Sequence, residues 1–391
     1  MTSEEILANT AESFLQSFHT QATYISKAPG RINIIGEHTD YNFGLSMPSA
    51  INRWISVGFS PRKDRRLQIV SKDFDAYINI SLDEVYKPDS DWKKYVYGCI
   101  KILSTSVKIE FGFNAFIQGN IPIGSGVSSS AALEVAFMNG LNELYHLKMN
   151  PLSIIKLCQQ VEHEYLHVKS GLLDQYASQF SKADHFLVLD FQSMSHDYIS
   201  AKMDDYSWVL CNSNVKRALA GSKYSERVIE TQEALKEIKQ HFPTVKHFRD
   251  IQEIHLRSIK NDIQRKRIKH YILENKRVED SVTALAENDF TRFGALLTAS
   301  HISLRDLYEV SCEELDFLVE QAITLPYCLG SRIMGGGFGG CSINLVEKKK
   351  IEEFSQHMKS VYMNRFNKNT DINEYQSVDG ANVIALQTCL E

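Results

Sequence analysis

Residues 124–132 (GSGVSSSAA) form a glycine- and serine-rich segment whose chemical groups suit a phosphate. Glycines let a backbone approach a ligand closely, and serine hydroxyls bind oxygen atoms or a metal ion. Alternating apolar residues at 113–117 predict a strand before the segment, and helical spacing over 131–145 predicts a helix after it. The unpaired N–H groups and the dipole of a helix N-terminus favour an anion. The segment therefore predicts a phosphate-binding loop, with a nucleotide as the expected ligand.

Two better-known phosphate loops do not match this segment. No Gly-Lys-Ser/Thr follows the glycines, and Ser129 stands where a dinucleotide fingerprint needs its third glycine. A Gly/Ser turn that only caps a core helix is the structural alternative. The segment alone leaves both interpretations open, so the rest of the chain must decide.

Residues 27–42 (KAPGRINIIGEHTDYN) contain a second concentration of chemically active side chains. Pro-Gly turns the chain, an Ile/Asn alternation predicts a short strand, and a dense polar cluster follows. Arg31 suits an anionic phosphoryl group, while Glu37 and Asp40 suit the hydroxyl groups of a substrate. A solvated turn requires fewer charges than this, so we expect a ligand-binding loop on a rigid scaffold.

The composition limits the classes of partner. With 391 residues the chain is long enough for two domains, and we expect a boundary near residue 200. A net charge of −5 without a basic tract argues against nucleic acid or an anionic membrane as a main partner. No window approaches about 18 apolar residues, and the acidic start (MTSEEILANTAESF) is unlike a signal peptide. Seven scattered cysteines favour reduced thiols in a cytoplasm.

Hydrophobic periodicity predicts a mixture of helices and strands. Helices are expected at residues 1–20, 131–145, 151–180, 225–240 and across 249–322. Strands are expected within residues 51–118, as two runs around residues 186–210 (HFLVLDF and DYSWVLCNS), and at residues 341–345. The glycine run 335–340 (GGGFGG) predicts a loop with unusual dihedral angles or a close backbone approach.

Residues 163–167 (HEYLH) match the H-E-x-x-H zinc motif, which places two histidines on one face of a helix. Such a site needs a third ligand, and residues 168–190 contain no glutamate, only aspartates and one histidine. A five-residue pattern also arises by chance. We therefore reject a metalloprotease site.

Three segments together resemble one known family. Residues 27–44 (KAPGRINIIGEHTDYNFG), 121–137 (IPIGSGVSSSAALEVAF) and 330–346 (GSRIMGGGFGGCSINLV) are similar, in order and spacing, to the motifs of the galactokinase branch of the GHMP kinases. The E-H-T-D-Y sequence is specific to that branch. Residues 171–175 (GLLDQ) and 300–306 (SHISLRD) also agree, so the resemblance covers nearly the whole chain.

The resemblance implies an α+β protein with two GHMP kinase domains, residues 1–200 and 201–391. The first domain would be similar to domain 2 of ribosomal protein S5 and could also include the final strand of the chain. The second would derive from a ferredoxin-like domain. ATP and sugar would bind between them.

The resemblance also implies roles for individual residues. Asp174 would accept the proton of the sugar hydroxyl or orient it, and Arg31 would stabilise charge on the phosphoryl group. Ser130 and Glu162 would hold Mg²⁺. The residues implied to bind the sugar are Glu37, His38, Thr39, Asp40, Gly171 and Tyr224. The residues implied to bind ATP are Ser71, Trp92, Gly124, Ser125, Gly126, Val127, Ser128, Ser129 and Ser130.

The implied activity is transfer of the ATP γ-phosphoryl group to the anomeric hydroxyl of α-D-galactose, in the Leloir pathway of galactose catabolism. A cytoplasmic monomer with ATP and Mg²⁺ as cofactors is expected. Met334 and residues 170–174 depart from the family pattern, which leaves N-acetylgalactosamine, L-arabinose or galacturonate open as other substrates. A non-catalytic galactose sensor is the alternative of another class, and the intact Ser130-Ala131 pair argues against it.

Overall fold

The fold is described from a computed structural model, which covers residues 1–122, 124–215 and 220–386. The helices in these ranges are α1 (Ser3–Phe18), α2 (Asp91–Ser106), α3 (Ser129–Leu144), α4 (Pro151–Tyr165), α5 (Leu173–Phe180), α6 (Ala220–His241), α7 (Asp262–Ala286), α8 (Phe290–Ser303), α9 (Glu313–Ile323) and α10 (Ile351–Phe366). The strands are β1 (Tyr24–Ile35), β2 (Leu45–Pro61), β3 (Arg66–Ser71), β4 (Ala76–Ser81), β5 (Phe113–Gly119), β6 (His185–Asp190), β7 (Ser195–Ser200), β8 (Tyr206–Asn212), β9 (Cys328–Met334), β10 (Cys341–Glu347), β11 (Asp371–Tyr375) and β12 (Asn382–Ala385).

The strands of the described ranges form two sheets. The main path of the larger, eight-stranded sheet is β12-β1-β2-β5-β3-β4, and β6 and β7 extend from β2. Only β3 and β5 pair in parallel there, whereas the other neighbours are antiparallel. The second sheet is antiparallel, in the order β11-β8-β10-β9. The late strand β12 therefore belongs to the sheet that contains β1.

Helix α3 lies at the centre of the core beneath the larger sheet. It packs on β1 and β2 and also contacts α2, α4 and α5. Gly140 lets the helix approach Phe59 of β2, since a Cβ there would lie 2.1 Å from the phenyl ring. This packing fixes the helix N-terminus, where the glycine- and serine-rich segment ends. The apolar residues that predicted the helix are all buried: Leu133, Phe137, Leu141 and Leu144.

A buried arginine joins the second sheet to the first. Arg332 of β9 has no exposed surface, and its Nε and Nη2 donate to the carbonyl oxygens of Ile34 and Asn33 in β1, at 2.8 and 2.9 Å. Nη2 also donates to Oε1 of Glu37 at 2.8 Å. Because a buried charge is costly without such partners, β9 and the end of β1 are held together. The loops that follow these two strands therefore meet.

The structure confirms most predicted elements and corrects one. The helix at the N-terminus, the helix after the phosphate segment and the strands on either side are present as α1, α3, β5 and β10. The prediction of one helix over 151–180 is wrong, because α4 ends at Tyr165 and α5 begins at Leu173. His167 lies beyond α4 with φ of 58°, so the two histidines of HEYLH do not share a helix.

The remaining comparisons with the sequence concern one strand, the long helical region and the domain division. Strand β7 was not predicted, because it is mostly exposed and lacks a clear apolar alternation. The helical region predicted over 249–322 is confirmed as α7, α8 and α9, with short turns between them. The domain division near residue 200 stays a prediction, and residues 216–219 and 387–391 of the second domain lie outside the described ranges. Within those ranges, no helix is both long and apolar enough to span a membrane.

Gly294 of α8 gives the first testable prediction. A Cβ at this position would lie 2.2 Å from the carbonyl oxygen of Leu329 in β9. We predict that Gly294→Ala lowers the free energy of unfolding by about 1–3 kcal/mol, because overpacking forces the helix or the strand to shift. Urea denaturation measures this change. The control Ala295→Ser, at an exposed position of the same helix, should stay within about 0.5 kcal/mol of the wild type, and equal effects of both variants would contradict the prediction.

Candidate active site

A cavity of about 710 Å³ lies where the two sheets meet. Its walls come from the loop after β1 (residues 36–44, the sugar loop), the loop before α3 (residues 124–128, the phosphate loop), the connection between α4 and α5, the first turns of α6, and the loop after β9 (residues 335–340, the glycine loop). The predicted site residues that line it are Arg31, Glu37, His38, Asp40, Gly124, Gly126, Ser128, Ser129, Ser130, Glu162, Gly171, Asp174 and Tyr224.

Arg31 and Asp174 form an ion pair at the phosphate loop. The Arg31 Nε lies 2.7 Å from Oδ1 of Asp174, and its Nη1 donates to the carbonyl oxygen of Gly126 at 2.6 Å. The Ser128 hydroxyl donates to the other carboxylate oxygen, Oδ2 of Asp174. The Arg31 side chain is almost fully buried, while about a third of the Asp174 side chain is exposed. The arginine therefore positions the carboxylate, which remains open to a ligand.

The phosphate loop has the backbone conformation that its glycines allow. Gly124, Gly126 and Ser128 have φ of 78°, 77° and 59°, all in the left-handed region. Helix α3 begins directly after them, and Ser129 and Ser130 of its first turn line the cavity. The first N–H groups of a helix have no partner within it, and the helix dipole attracts negative charge. This wall of the cavity therefore suits an anion.

Buried carboxyl groups lie beside the phosphate loop. Burial raises the pKa of Glu162 to about 7, a hydrogen bond from Ser170 opposes the rise, and the nearby charge of Asp174 adds to it. Ser130 contacts Tyr95, which is itself a neighbour of Glu162. The chemical groups available here are hydroxyl and carboxylate oxygens, which are the ligands that Mg²⁺ prefers.

Asp40 of the sugar loop is packed against Gly171. Burial, and secondarily the charge of Asp174, raise the pKa of Asp40 to about 7. A Cβ on Gly171 would lie 1.7 Å from the Asp40 Oδ2, so only glycine leaves room for this carboxyl group. The break between α4 and α5 contains Gly171, and it therefore brings Asp40 and Asp174 into one wall of the cavity.

Glu37 is held by the second sheet. Its Oε1 accepts a hydrogen bond from Arg332, and a second from the backbone N–H of Gly335 at 2.6 Å. Burial opposes the ionisation of Glu37, but the charges of Arg332 and Arg31 outweigh it and lower the pKa of this carboxyl group. Glu37 is therefore an ionised acceptor that links the sugar loop to the glycine loop.

Aromatic rings close the far end of the cavity. The hydroxyl of Tyr41 lies 2.9 Å from Nδ1 of His38 and 2.7 Å from the hydroxyl of Tyr308. The ring of Tyr224 lies 5.6 Å from the ring of His38 and 5.3 Å from that of Tyr41. Burial lowers the pKa of His38 to about 3, so this imidazole is neutral at pH 7. Rings with polar tips suit a ligand that has both hydroxyl groups and apolar faces.

Sequence reasoning missed a buried acid that holds the sugar loop in place. Glu274 of α7 accepts hydrogen bonds from the N–H groups of Gly36 and Glu37, at 2.9 and 3.3 Å, and also from Ser300 and Arg277. Glu274 is fully buried. The helix α7 carries many charged residues, a pattern typical of a solvated helix face. No local signal could have shown that this face is covered by residues more than 200 positions earlier.

Five predicted site residues do not line this cavity. The Thr39 hydroxyl donates within the sugar loop, to the carbonyl oxygens of Gly36 and Leu45. Trp92 is buried and stacks on Phe74, with ring centroids 6.0 Å apart. The assignment of Ser71 and Trp92 to a nucleotide stays a prediction. The remaining residues of this group are Ser125 and Val127, which are also buried.

Family comparisons define the class of this fold and site. Residues 94–182 match the model of the GHMP kinases N terminal domain, and residues 281–363 match that of GHMP kinases C terminal. The fold and the cavity between its sheets are therefore those of a GHMP kinase. Residues 12–61, which contain the sugar loop, match the galactokinase galactose-binding signature.

Individual relatives narrow the class further. Galactokinase from Clostridium beijerinckii is 38% identical over 360 residues, which cover 90% of this chain and 92% of the relative. Galactokinase from Staphylococcus saprophyticus is 37% identical over 92% of this chain and 95% of its own. The crystal structure of Lactococcus lactis galactokinase complexed with galactose matches with a TM-score of 0.91 and 35% identity, covering 96% of this chain and 99% of that one. This chain belongs to the galactokinase family and is an ATP-dependent sugar kinase.

The raised pKa of Glu162 gives a prediction about stability. The folded protein holds this proton more tightly than the unfolded chain does, since the pKa moves from 4.5 to about 7. The stabilisation it provides is complete below about pH 4 and is lost as the pH rises through 7. We predict that Glu162→Gln raises the free energy of unfolding of the ligand-free protein by about 1–3 kcal/mol at pH 8, and by much less at pH 4.

Urea unfolding at both pH values measures the effect of Glu162→Gln. Glu143→Gln, at an exposed position of α3, is the matched control and should stay within about 0.5 kcal/mol of the wild type at each pH. A Glu162→Gln variant that is less stable than the wild type at pH 8 would show that the folded protein favours the charged carboxylate.

The contact between Gly171 and Asp40 gives a prediction about the sugar. We predict that Gly171→Ala raises the KM for the sugar by about tenfold or more, because the methyl group displaces the Asp40 carboxyl and small displacements in a site are costly. The KM for ATP should change much less. Steady-state kinetics with each substrate varied in turn separate the two effects. An unchanged KM for the sugar would show that Asp40 does not bind the sugar.

Proposed function

We propose that this protein transfers the γ-phosphoryl group of ATP to the anomeric hydroxyl of α-D-galactose, giving galactose 1-phosphate and ADP. The observation that carries the proposal is the ion pair of Arg31 and Asp174, which lies between the phosphate loop and the sugar loop. The galactose complex of the Lactococcus lactis relative supports galactose as the sugar. The same activity would place the protein in galactose catabolism.

Galactose would bind against the sugar loop. Glu37 and Asp40 are acceptors for sugar hydroxyls, and His38 and Tyr224 offer polar atoms on aromatic rings. Asp40 must lose its proton to act as a charged acceptor, since its pKa is raised to about 7. Gly171 would contribute its backbone and leave room for Asp40.

Phosphoryl transfer would take place between Asp174 and the phosphate loop. The anomeric hydroxyl oxygen of galactose would attack the γ-phosphorus of ATP, and ADP would leave. The carboxylate of Asp174 would accept the proton of that hydroxyl group. Arg31 holds Asp174 through Nε, and its guanidinium charge would stabilise the negative charge that builds up on the phosphoryl oxygens. The N–H groups at the start of α3 would bind the phosphates.

Ser130 and Glu162 fit a magnesium site because they offer hydroxyl and carboxylate oxygens beside the anion-binding wall. Ser130 and Glu162 would hold the ion, whose positive charge would offset the negative charge of the ATP phosphates. We also propose that Ser71 and Trp92 contact the nucleotide, since the partly exposed Phe74 that stacks on Trp92 provides an aromatic surface for a base.

We further propose that the protein acts as a monomer in the cytoplasm, on small molecules and not on nucleic acid or membranes. The net charge of −5 and the absence of disulfides among the described cysteines support this setting. The two domains would be residues 1–200, together with β12, and the remainder of the chain. Sedimentation analysis tests the monomer directly.

The activity is tested by measuring ADP release with Mg²⁺ and ATP and a panel of sugars. Galactose should be turned over well, and N-acetylgalactosamine, L-arabinose, galacturonate and glucose poorly. Turnover of another sugar alone would keep the kinase but exclude galactose as its substrate. Binding of galactose without turnover would instead support a galactose sensor.

Asp174→Asn provides the test of the proposed base. We predict that this variant lowers kcat by a factor of about 10² to 10⁴, because the amide keeps the shape but cannot take the proton. The KM for galactose should change less than kcat does. Asp197→Asn, at an exposed position of β7, is the matched control and should retain wild-type kinetics. Near wild-type kcat in Asp174→Asn would exclude a role as base.

A further inference from the structure

Gln175 is a fully buried amide directly after Asp174, in the first turn of α5. Its Nε2 donates a hydrogen bond of 3.2 Å to Oε2 of Glu134, which is fully buried in α3. The amide of Gln175 also lies near Glu162 of α4, where it lowers the pKa of that carboxyl group and so favours its charged form. One side chain therefore connects three helices, α3, α4 and α5, behind the wall that carries Ser130 and Asp174.

The contact between Gln175 and Glu134 leaves two acceptors without a donor. Within the described parts of the chain, Oε1 of Glu134 and Oε1 of Gln175 both lack a hydrogen-bond partner. A buried acceptor without a partner is costly, so two such atoms on one bonded pair call for an explanation. A proton on Glu134 Oε1 would satisfy both atoms, since the carboxyl group would then donate to the amide oxygen of Gln175.

The surroundings of Glu134 agree with a neutral carboxyl group. Burial raises the pKa of Glu134 well above its ordinary range, and the nearby Glu162 raises it further. Its other titratable neighbours are Asp174, whose charge also raises the pKa of Glu134, the buried thiols of Cys99 and Cys158, and the phenol of Tyr95. These groups carry no positive charge with which an ionised Glu134 could pair.

We propose that Gln175 is a positioning residue: its amide forms a reciprocal hydrogen-bonded pair with a protonated Glu134 and directs an N–H at the carboxylate of Glu162. An amide and a neutral acid can exchange two hydrogen bonds at once, which fixes the amide plane. That plane determines where the second amide hydrogen points. Glu162 and the start of α5, which carries Asp174, are then held in one arrangement.

This inference rests on the proposed function, because Glu162 is the proposed ligand of Mg²⁺. Residues that hydrogen-bond to a metal ligand commonly change metal affinity by about 10–100-fold when they are replaced. Gln175 should therefore act on the magnesium requirement of the reaction. It should act little on the affinity for the sugar, because its partners Glu134 and Glu162 are not among the residues proposed to bind the sugar.

The test compares Gln175→Met, Glu134→Gln and Glu134→Ala in the full-length protein. Gln175→Met should raise the free Mg²⁺ concentration for half-maximal rate by about tenfold and leave the KM for galactose within about twofold. Glu134→Gln should keep both constants within about twofold, because two amides can form the same reciprocal pair. Glu134→Ala should behave like Gln175→Met. Equal losses in Glu134→Gln and Glu134→Ala would overturn the proposal, because they would show that the charge of Glu134 is needed.

A second measurement does not depend on turnover. At about pH 9, where Glu162 and Asp40 are ionised, the infrared spectrum of the metal-free wild-type protein should still contain the carbonyl stretch of a protonated carboxyl group, and Glu134→Gln should remove it. A spectrum without this band would overturn the proposal, even if Gln175→Met fails to fold. Manganese binding to the protein with ATP, followed by electron paramagnetic resonance, should weaken in Gln175→Met and not in Glu134→Gln. Unchanged manganese binding in Gln175→Met would also overturn the proposal.

The outcomes separate this inference from the proposed function. A wild-type protein that phosphorylates none of the sugars would overturn the function, whereas the infrared band of Glu134 would still support the pair with Gln175. A wild-type galactokinase whose magnesium requirement is unaffected by Gln175→Met would keep the function and overturn the positioning role.

Discussion

The buried ion pair between Arg332 and Glu37 is the contact on which the rest of the active site depends. A guanidinium group with no exposure must keep its partners, because the loss of one leaves an uncompensated charge in a medium of low dielectric constant. Arg332 finds these partners at the end of β1, and Glu37 in turn accepts the N–H of Gly335. One electrostatic constraint therefore fixes the sugar loop, the glycine loop and the contact between the two sheets.

The wall of the cavity that contains Asp40, Glu162 and Asp174 carries several carboxyl groups in addition to the ion pair of Asp174 with Arg31. Burial raises the pKa of both Glu162 and Asp40 to about 7. The nearby Arg31 already forms an ion pair with Asp174. Buried carboxyl groups that favour their protons lower stability as the pH rises, so this wall is built for ligands and not for stability. A hydroxylic substrate and a divalent cation are the kinds of ligand that make such groups useful as anions.

The sequence predicted the parts of this site that are local and left out the parts that arise from packing. The phosphate segment and the polar cluster after β1 could be identified because strand, loop and helix follow each other directly in the chain. The break between α4 and α5 was missed, because the contact of Gly171 with Asp40 that accompanies it joins residues 131 positions apart in the sequence. Glu274 was missed for the same reason, since nothing near it in sequence shows that a loop covers it. Long-range hydrogen bonds leave no periodic pattern to detect.

The pairing of β12 with β1 has a consequence for synthesis. Strand β1 leads into the sugar loop, and one of its edges is covered by β12 through contacts such as Lys27 opposite Asn382. At translation rates of about 5–20 residues per second, that edge stays open on the order of a minute while the rest of the chain is made. An open strand edge is a template for pairing with another chain. The nascent protein is therefore exposed to misassembly at the strand that anchors its active site, until β12 emerges from the ribosome.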